Sequence, residues 1–152
     1  MKMYAQSIEV RESKIHGTGV FAIQKIRKGV RLIEYTGIRK RWSSFKHDND
    51  AYVCLFDVGR GLVVDPRKNG SIARFINHSC RPNCEAVLED GRVYIESIRA
   101  IAVGEEITYD YAVTLDRRPS KADIRKYACR CGSGNCRGTL LEAADPVSTS
   151  DH

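Results

Sequence analysis

The sequence lacks any long apolar segment. No apolar run approaches the roughly 18 residues that a membrane-spanning helix needs. Residues 1–6 do not form the apolar centre of a signal peptide. We therefore expect an intracellular protein without membrane contact. In a eukaryotic cell, or after delivery into a host, we expect it in the nucleus or on chromatin, and otherwise in the cytoplasm.

Internal repeats and the signs of a second domain are also missing, and helical patterns are few. A chain of 152 residues suits one domain with its own core. The formal net charge of +6 is concentrated in residues 1–50. A basic surface of this kind can meet nucleic acid or an acidic partner, although a solvated basic face explains it equally well. No stretch resembles a recognition helix or an aromatic stacking platform, so we expect at most a weak nucleic-acid contact.

Short β-rich runs separated by turn residues make up most of the pattern. They cover residues 30–36, 51–58, 62–64, 85–89, 92–96 and 106–111. Asp90-Gly91, between two alternating runs, is the strongest hairpin signal. A capping box at residues 120–123 predicts a short helix over 121–127. Residues 71–76 suit one or two helical turns, and residues 39–49 form a helix or a loop. Many short strands indicate a mainly β fold of barrel or sandwich type.

Six cysteines are present, and their spacing favours metal binding over disulfides. Cys129, Cys131 and Cys136 form a C-x-C-x4-C cluster, in which the first two are too close to pair comfortably. Zinc held by thiolates wants four ligands in a tetrahedron. Cys80 would complete the set, with Cys84 as its competitor. Cys54 lies in an apolar run and is predicted to be a buried small hydrophobe.

Three separated motifs carry most of the remaining information. The first is Gly17-Thr18-Gly19-Val20-Phe21, the second is Arg74-Phe75-Ile76-Asn77-His78-Ser79-Cys80, and the third is Gly104-Glu105-Glu106-Ile107-Thr108-Tyr109-Asp110-Tyr111. Their order and spacing closely resemble SET-domain protein lysine methyltransferases, over about residues 9–141. The cysteine cluster resembles the post-SET zinc segment of that family.

The resemblance implies a mainly β SET-domain fold, made of small curled sheets with a C-terminal pseudoknot. It implies a SET domain over residues 6–113, a post-SET zinc segment over 125–141 and a flexible tail over 142–152. No cysteine-rich segment precedes the catalytic region, and the insertion at 39–49 is short. Because those parts often help to choose the substrate, the resemblance does not by itself imply a histone target.

The resemblance also implies S-adenosylmethionine as the methyl donor and zinc as a bound metal ion. The implied methyl acceptor is a lysine of a protein or of a histone tail. Backbone near the first motif would meet the methionine end of the donor, Asn77 its amino-acid end, and His78 its adenine. Arg74 would lie near its carboxylate, and Leu140 or Leu141 would pack on adenine or cover the channel. The implied cofactor-binding residues are Lys14, His16, Gly17, Gly19, Arg74, Asn77, His78, Tyr111 and Leu140. The implied metal ligands are Cys80, Cys129, Cys131 and Cys136.

The resemblance implies that Tyr111 is the catalytic residue and that Tyr109 and Tyr52 line the same lysine channel. Deprotonating a lysine of pKa near 10.4 at pH 7 costs on the order of 4–5 kcal/mol. An apolar channel and the nearby sulfonium both lower that pKa, and a phenol can orient the neutral amine. A Tyr at position 109 resembles family members that stop at mono- or dimethylation, which predicts mainly monomethylation here.

Each residue also has a purely structural interpretation when it is taken alone. Gly17 and Gly19 could form a plain turn, Asn77 and His78 a hydrogen-bonded pair, and Tyr111 a buried structural tyrosine. Two other functional classes remain open at this stage. One is a catalytically silent SET-like module that binds a peptide or chromatin, and the other is a basic zinc module that binds nucleic acid.

Overall fold

The computed structural model describes residues 3–45, 54–113, 115 and 118–142. Within them the chain forms ten strands and one α-helix, with three short 3-10 turns at Ala5–Ser7, Trp42–Phe45 and Ile72–Phe75. The strands are β1 (Ile8–Glu12), β2 (Thr18–Ala22), β3 (Arg31–Glu34), β4 (Ile38–Arg41), β5 (Phe56–Gly59), β6 (Leu62–Asp65), β7 (Asn77–His78), β8 (Cys84–Glu89), β9 (Arg92–Ser97) and β10 (Glu106–Tyr109), and the helix is α1 (Lys121–Lys126).

The strands form three small sheets, which confirms the mainly β prediction. Their orders are β1-β2-β10-β7, β3-β9-β8 and β4-β6-β5. All pairs are antiparallel except β7 with β10, which run parallel. No helix among the described residues is long and apolar enough to cross a membrane.

Local signals in the sequence account for the hairpin and for the helix. Asp90 and Gly91 have φ values of 51° and 74°, the pair of positive angles that a type I′ turn between β8 and β9 requires. The side chain of Ser120 accepts from the backbone N–H of Asp123, and the Asp123 carboxylate accepts from the backbone N–H of Ser120. This is the predicted capping box, and α1 begins directly after it.

Two strand boundaries differ from the sequence prediction, and one prediction is only partly covered. The strand expected over 106–111 ends at Tyr109, because Asp110 accepts a hydrogen bond from the N–H of Ala112, whose φ is +44°. That turn takes the chain out of the sheet. The strand expected over 51–58 begins at Phe56 in the described part, and residues 51–53 lie outside it. Residues 39–49 form the end of β4 and a 3-10 turn, with 46–49 outside the described residues.

The parallel pair of β7 and β10 brings two of the sequence motifs together. Asn77 pairs with Thr108, and His78 pairs with Tyr109. The N–H of Ser79 then donates to the carbonyl of Tyr109 at 3.2 Å, so the pairing continues toward Cys80. The Asn-His segment therefore lies directly beside the strand that ends in the two tyrosines.

The core consists of a central cluster and a smaller one that holds the tail. The central cluster includes fully buried Leu32, Ile95 and Ile107. The smaller cluster contains buried Val113, Tyr127 and Leu141, and the partly buried Tyr111, Leu115 and Leu140 pack against it. A parallel bridge joins Val113 to Leu141, so the end of the described chain returns to the segment that follows β10.

A small polar network fixes the β1–β2 loop, residues 13–17, against the rest of the sheet. The Ser13 hydroxyl donates to the Glu106 carboxylate, at 2.8 and 2.9 Å from its two oxygens. The Asn77 amide nitrogen lies 2.8 Å from Glu106 Oε2, 3.0 Å from the carbonyl of His16 and 3.1 Å from that of Thr18. Three remote segments therefore meet at one carboxylate, and the loop position follows from it.

Gly19 is required by this network rather than by a turn. An ideal Cβ at this position would lie 2.5 Å from Glu106 Oε2 and 3.0 Å from Ser13 Cβ. Contacts this short force the carboxylate or the loop to move. The resemblance assigned Gly19 to cofactor binding, whereas the group that lies against it in the structure is the Glu106 carboxylate.

We expect Gly19→Ala to lower the free energy of unfolding by about 1–3 kcal/mol, the usual effect of an overpacked interior site. Urea unfolding of the metal-loaded protein, followed by circular dichroism, measures this change. Gly134→Ala is the matched control, because a Cβ there meets nothing within 4 Å. Equal stability of the two variants would mean that Glu106 moves aside without cost.

Candidate active site

A cavity of about 510 Å³ opens between the sheet body and the tail. A volume of this size falls within the range of small-molecule sites. Several residues with predicted cofactor contacts line it: His16, Asn77, His78, Tyr111 and Leu140. The structure thus brings together residues from the β1–β2 loop, β7, the end of β10 and the tail.

The other predicted cofactor residues do not line this cavity. Lys14 and Gly17 belong to the β1–β2 loop, whose residues Ile15 and His16 contribute to the wall. Gly19 is buried within β2, behind that loop. Arg74 is exposed, and its guanidinium lies 4.5 Å from the centre of the Phe75 ring. Its predicted contact with a cofactor carboxylate therefore stays a prediction.

Residues 76–78 hold both the backbone and the hydroxyl of Tyr111. Its hydroxyl donates to the carbonyl of Ile76, and its backbone N–H donates to Nδ1 of His78 at 2.9 Å. Because the phenol hydrogen is committed to Ile76, the oxygen lone pairs remain available in other directions. A hydroxyl held in this way can accept a hydrogen bond from an amine or from a polarised C–H group.

Tyr111 also connects the cavity to an aromatic cluster formed by Tyr35, Phe56, Tyr109 and Tyr111. The Tyr109 and Tyr111 rings lie 4.8 Å apart. The centre of the Phe56 ring lies 5.8 Å from that of Tyr109 and 4.5 Å from that of Tyr35. The Tyr35 hydroxyl donates to the carbonyl of Cys54 at 2.7 Å and also interacts with the Tyr109 hydroxyl. The predicted channel residue Tyr52 lies outside the described residues.

Burial favours the neutral forms of Tyr109, Tyr111 and His78. It raises the pKa of Tyr109 and of Tyr111, so both remain phenols at physiological pH. Burial also lowers the pKa of His78, against the effect of Asp110, whose carboxylate raises it. The sheet side of the site therefore offers phenol hydroxyls and a neutral imidazole.

Four cysteines meet at the edge of the cavity with the geometry of a metal site. The Sγ atoms of Cys80, Cys129, Cys131 and Cys136 all lie within 4.8 Å of one another. Cys80 Sγ is 3.8 Å from Cys129 Sγ and 3.9 Å from Cys136 Sγ. A tetrahedron with zinc–sulfur bonds of about 2.3 Å has sulfur–sulfur edges of about 3.8 Å. The four-cysteine cluster therefore fits zinc.

Every sulfur in the four-cysteine cluster also accepts a backbone N–H. Arg137 donates to Cys80 Sγ at 3.3 Å, and Gly138 donates to Cys136 Sγ at 3.3 Å. Cys131 donates to Cys129 Sγ at 3.4 Å, and Cys80 donates to Cys131 Sγ at 3.5 Å. Donors directed at all four sulfurs suit thiolates, which carry the negative charge that a metal cation offsets.

The pKa values of the cysteine thiols indicate which thiols resist the deprotonation that metal binding requires. Burial raises the pKa of Cys80 and of Cys129. Burial also opposes ionisation of Cys131, but the N–H of Cys80 and hydrogen bonds from Ser133 outweigh it and lower that pKa to about 5. Cys131 therefore ionises first, and metal binding displaces protons from its neighbours.

The two remaining cysteines have separate environments. Cys84, the competitor for a place at the metal, is fully buried in the central core cluster, and burial raises its pKa to about 12. It is not part of the four-cysteine cluster. Cys54 is half-buried rather than buried, and its carbonyl accepts from Tyr35.

An ion pair connects the tail to the tyrosine segment independently of the cysteines. Arg137 donates to both carboxylate oxygens of Asp110, at 2.8 and 2.9 Å, and to the carbonyl of Leu141 at 3.0 Å. Asp110 is partly buried, which alone would raise its pKa, but the hydrogen bonds from Arg137 outweigh burial and lower it. Bidentate pairs of this kind are the stronger class of charged hydrogen bond.

Sequence reasoning missed the part of the cavity wall that comes from the tail. Arg125, Lys126 and Arg130 line the cavity beside Ala128 and Cys129, and they make this side cationic. The available signal was their position directly before and between the predicted metal ligands. Ser13 and Glu106 were missed as well, although Glu106 lies within the third sequence motif.

Comparison with known proteins agrees with this geometry. The SET domain family model matches residues 17–112. The chain is 39% identical over 92% of its length to a histone-lysine N-methyltransferase, H3 lysine-4 specific, of Schizosaccharomyces pombe. It is 38% identical over 84% of its length to the protein of that name in Saccharomyces cerevisiae, and 37% identical over 92% to histone-lysine N-methyltransferase SETD1B of Homo sapiens.

The chain spans only part of these relatives: 16% of the Schizosaccharomyces pombe protein, 12% of the Saccharomyces cerevisiae protein and 7% of the human protein. The residues matched by the family model include Asn77, His78 and Tyr111 of the cavity wall, whereas Ile15, His16 and the tail residues of the wall lie outside the match. The family match and the assembled site agree, and the chain belongs to the SET domain family.

Proposed function

We propose that this chain transfers a methyl group from S-adenosylmethionine to the side-chain amine of a protein lysine, with the N-terminal tail of histone H3 as substrate. The observation that carries the proposal is the position of Tyr111, which joins a cavity of cofactor size to a buried aromatic cluster. The relatives are named histone-lysine N-methyltransferases, which supports the choice of substrate.

The cavity wall suits S-adenosylmethionine. His16 and Asn77 offer polar groups for the amino-acid end of the donor, and His78 and Leu140 offer a surface for adenine. When bound, the donor supplies a methyl group on a positively charged sulfur, which an amine can take directly. The protein's own task is to hold the acceptor in line, and positioning of this kind contributes several kcal/mol.

The aromatic cluster suits the acceptor. A lysine ammonium that enters a buried, uncharged surrounding loses hydration, which lowers its pKa and favours the neutral amine. Tyr109 and Tyr111 remain un-ionised, so neither phenolate stabilises the ammonium form. The Tyr111 oxygen, with its hydrogen donated to Ile76, is free to accept from the amine or from the methyl group.

We propose mainly monomethylation. The Tyr109 hydroxyl interacts with the Tyr35 hydroxyl within the aromatic cluster. Their presence leaves less room for a methylated amine to rotate.

The proposed domain limits are residues 6–113 for the SET domain and 125–141 for the zinc segment, with a flexible tail over 142–152, of which residues 143–152 lie outside the described part.

The substrate proposal places this protein on chromatin in a eukaryotic nucleus, or in a host nucleus after delivery. A basic surface over residues 1–50 would add at most weak contact with nucleic acid. The competing hypothesis is a silent module that binds a histone peptide without turnover. Only methyl transfer separates the two.

The direct test uses labelled S-adenosylmethionine with a histone H3 tail peptide, and a matched peptide in which lysine-4 is replaced by arginine. We expect label on the first peptide and none on the second. Label on both would move the target to another lysine. Donor binding by isothermal titration without any transfer, on peptides or on whole histones, would support the silent module.

Tyr111→Phe should lower kcat on the order of 100-fold, because the oxygen that orients the amine is removed while the ring stays. Donor affinity, measured by isothermal titration, should change little. Tyr4→Phe, at an exposed tyrosine, is the matched control and should leave kcat unchanged. Full activity of Tyr111→Phe would remove Tyr111 from the chemistry.

Tyr109→Phe should shift the product toward di- and trimethyl-lysine, because the lost hydroxyl frees space beside the amine. Mass spectrometry of the peptide after exhaustive reaction measures the three products. A product that stays entirely monomethylated would show that Tyr109 does not limit the number of methyl groups.

We propose zinc as the ion of the four-cysteine cluster, at one ion per chain. Cys136→Ser should lose most of the zinc found by elemental analysis, and Cys54→Ser, outside the cluster, should keep it. Chelation should abolish methyl transfer while the far-ultraviolet circular dichroism of the β core persists. Retention of zinc by Cys136→Ser would contradict the ligand set.

A further inference from the structure

The two ring nitrogens of His78 contact two different parts of the site. Nδ1 lies 2.9 Å from the backbone nitrogen of Tyr111, and Nε2 lies 3.3 Å from Sγ of Cys80. The side chain is 2% exposed, so water does not compete for either contact. One imidazole therefore lies between the residue proposed for catalysis and a residue proposed as metal ligand.

The direction of both hydrogen bonds follows from the backbone. A peptide nitrogen can only donate, so Nδ1 of His78 must accept and carries no hydrogen. A neutral imidazole then has its hydrogen on Nε2, where the nearest partner is Cys80 Sγ. The Asp110 carboxylate, which could only accept, lies 3.6 Å from Nδ1, too far for a hydrogen bond from a protonated Nδ1.

The hydrogen bond from Nε2–H of His78 is the second one that Cys80 Sγ accepts, in addition to that from the N–H of Arg137. Hydrogen bonds to a metal-bound thiolate disperse its charge and fix its orientation. The loss of one such outer contact typically costs 10–100-fold in metal affinity.

For Tyr111, the His78 contact fixes the backbone while Ile76 fixes the hydroxyl. Both partners belong to the same segment, residues 76–78. The position of the phenol oxygen therefore depends on the orientation of the imidazole, and a shift of about 1 Å at a reacting group can cost on the order of 100-fold in rate.

We propose that His78 is a positioning residue that couples the four-cysteine cluster to Tyr111, donating from Nε2 to Cys80 and accepting at Nδ1 from Tyr111. The effect on rate rests on the proposed function. The effect on metal retention and on the Tyr111 backbone does not, so the two can fail separately.

Two substitutions separate the two contacts. In His78→Gln the terminal amide nitrogen reaches the position of Nε2 and can donate to Cys80, but nothing accepts from Tyr111. In His78→Asn the amide oxygen takes the position of Nδ1 and can accept from Tyr111, but nothing donates to Cys80. Both variants are polar amides, so each serves as the matched control for the other.

The first measurement is the rate of zinc release to a colorimetric chelator. We expect release about 10-fold faster or more from His78→Asn, and release close to the parent rate from His78→Gln. The second is the amide signal of Tyr111 in a ¹H–¹⁵N spectrum, which should move in His78→Gln and stay near its parent position in His78→Asn. With excess zinc, kcat should fall further in His78→Gln than in His78→Asn.

Equal zinc release from both variants, together with equal movement of the Tyr111 signal, would overturn the coupling and leave His78 as a packing residue. A mutation-free check uses ¹⁵N-labelled histidine in the parent protein. Its spectrum should show the Nε2–H tautomer for His78, and an Nδ1–H tautomer would overturn the proposal even if neither variant folds. If the parent protein transfers no methyl group but the two variants still differ in zinc release, the proposed function is contradicted and the coupling is retained.

Discussion

The parallel pairing of β7 with β10 fixes how Asn77, His78, Cys80 and Tyr111 lie relative to one another. β7 has only two residues, yet it places Asn77 beside Thr108 and His78 beside Tyr109. The next residues lead to Cys80, which joins the tail cysteines, and the chain after β10 leads to Tyr111. Because this pair joins segments that are remote in sequence, the site exists only once the sheet has closed around it.

Two kinds of chemistry lie side by side in this arrangement and need opposite surroundings. The aromatic cluster depends on low polarity, which keeps Tyr109 and Tyr111 un-ionised. The four-cysteine cluster, once ionised, carries negative charge, which backbone donors stabilise and the proposed cation would offset. His78 lies between them as a neutral ring, which allows contact with both without adding charge to either.

The sequence predicts well those features that depend on a few neighbouring residues or on the limited ligand sets of a metal site. The Asp90-Gly91 turn and the capping box at Ser120 each depend on a few neighbouring residues. The four cysteines are predictable because a thiolate metal site admits few ligand sets. The resemblance to a family then supplied the cofactor residues, and the cavity brings His16, Asn77, His78, Tyr111 and Leu140 together.

The features that escaped prediction depend on contacts between remote side chains. Ser13, Asn77 and Glu106 meet from three segments, and no local pattern marks their meeting. The pair of Arg137 with Asp110 was hidden for the same reason. The end of β10 at Tyr109 depends on a side-chain turn at Asp110 that competes with the strand, and propensity alone does not reveal it.

The cavity has one wall on the sheet body and the other on the tail, and this division has a thermodynamic consequence. A molecule that fills the cavity adds binding energy only while the tail is docked, and a metal in the four-cysteine cluster stabilises that same docked state. Linkage then requires reciprocity: the factor by which the metal tightens the occupant equals the factor by which the occupant tightens the metal. Through the docked tail, the proposed metal and the proposed cavity ligand would change each other's affinity without touching each other.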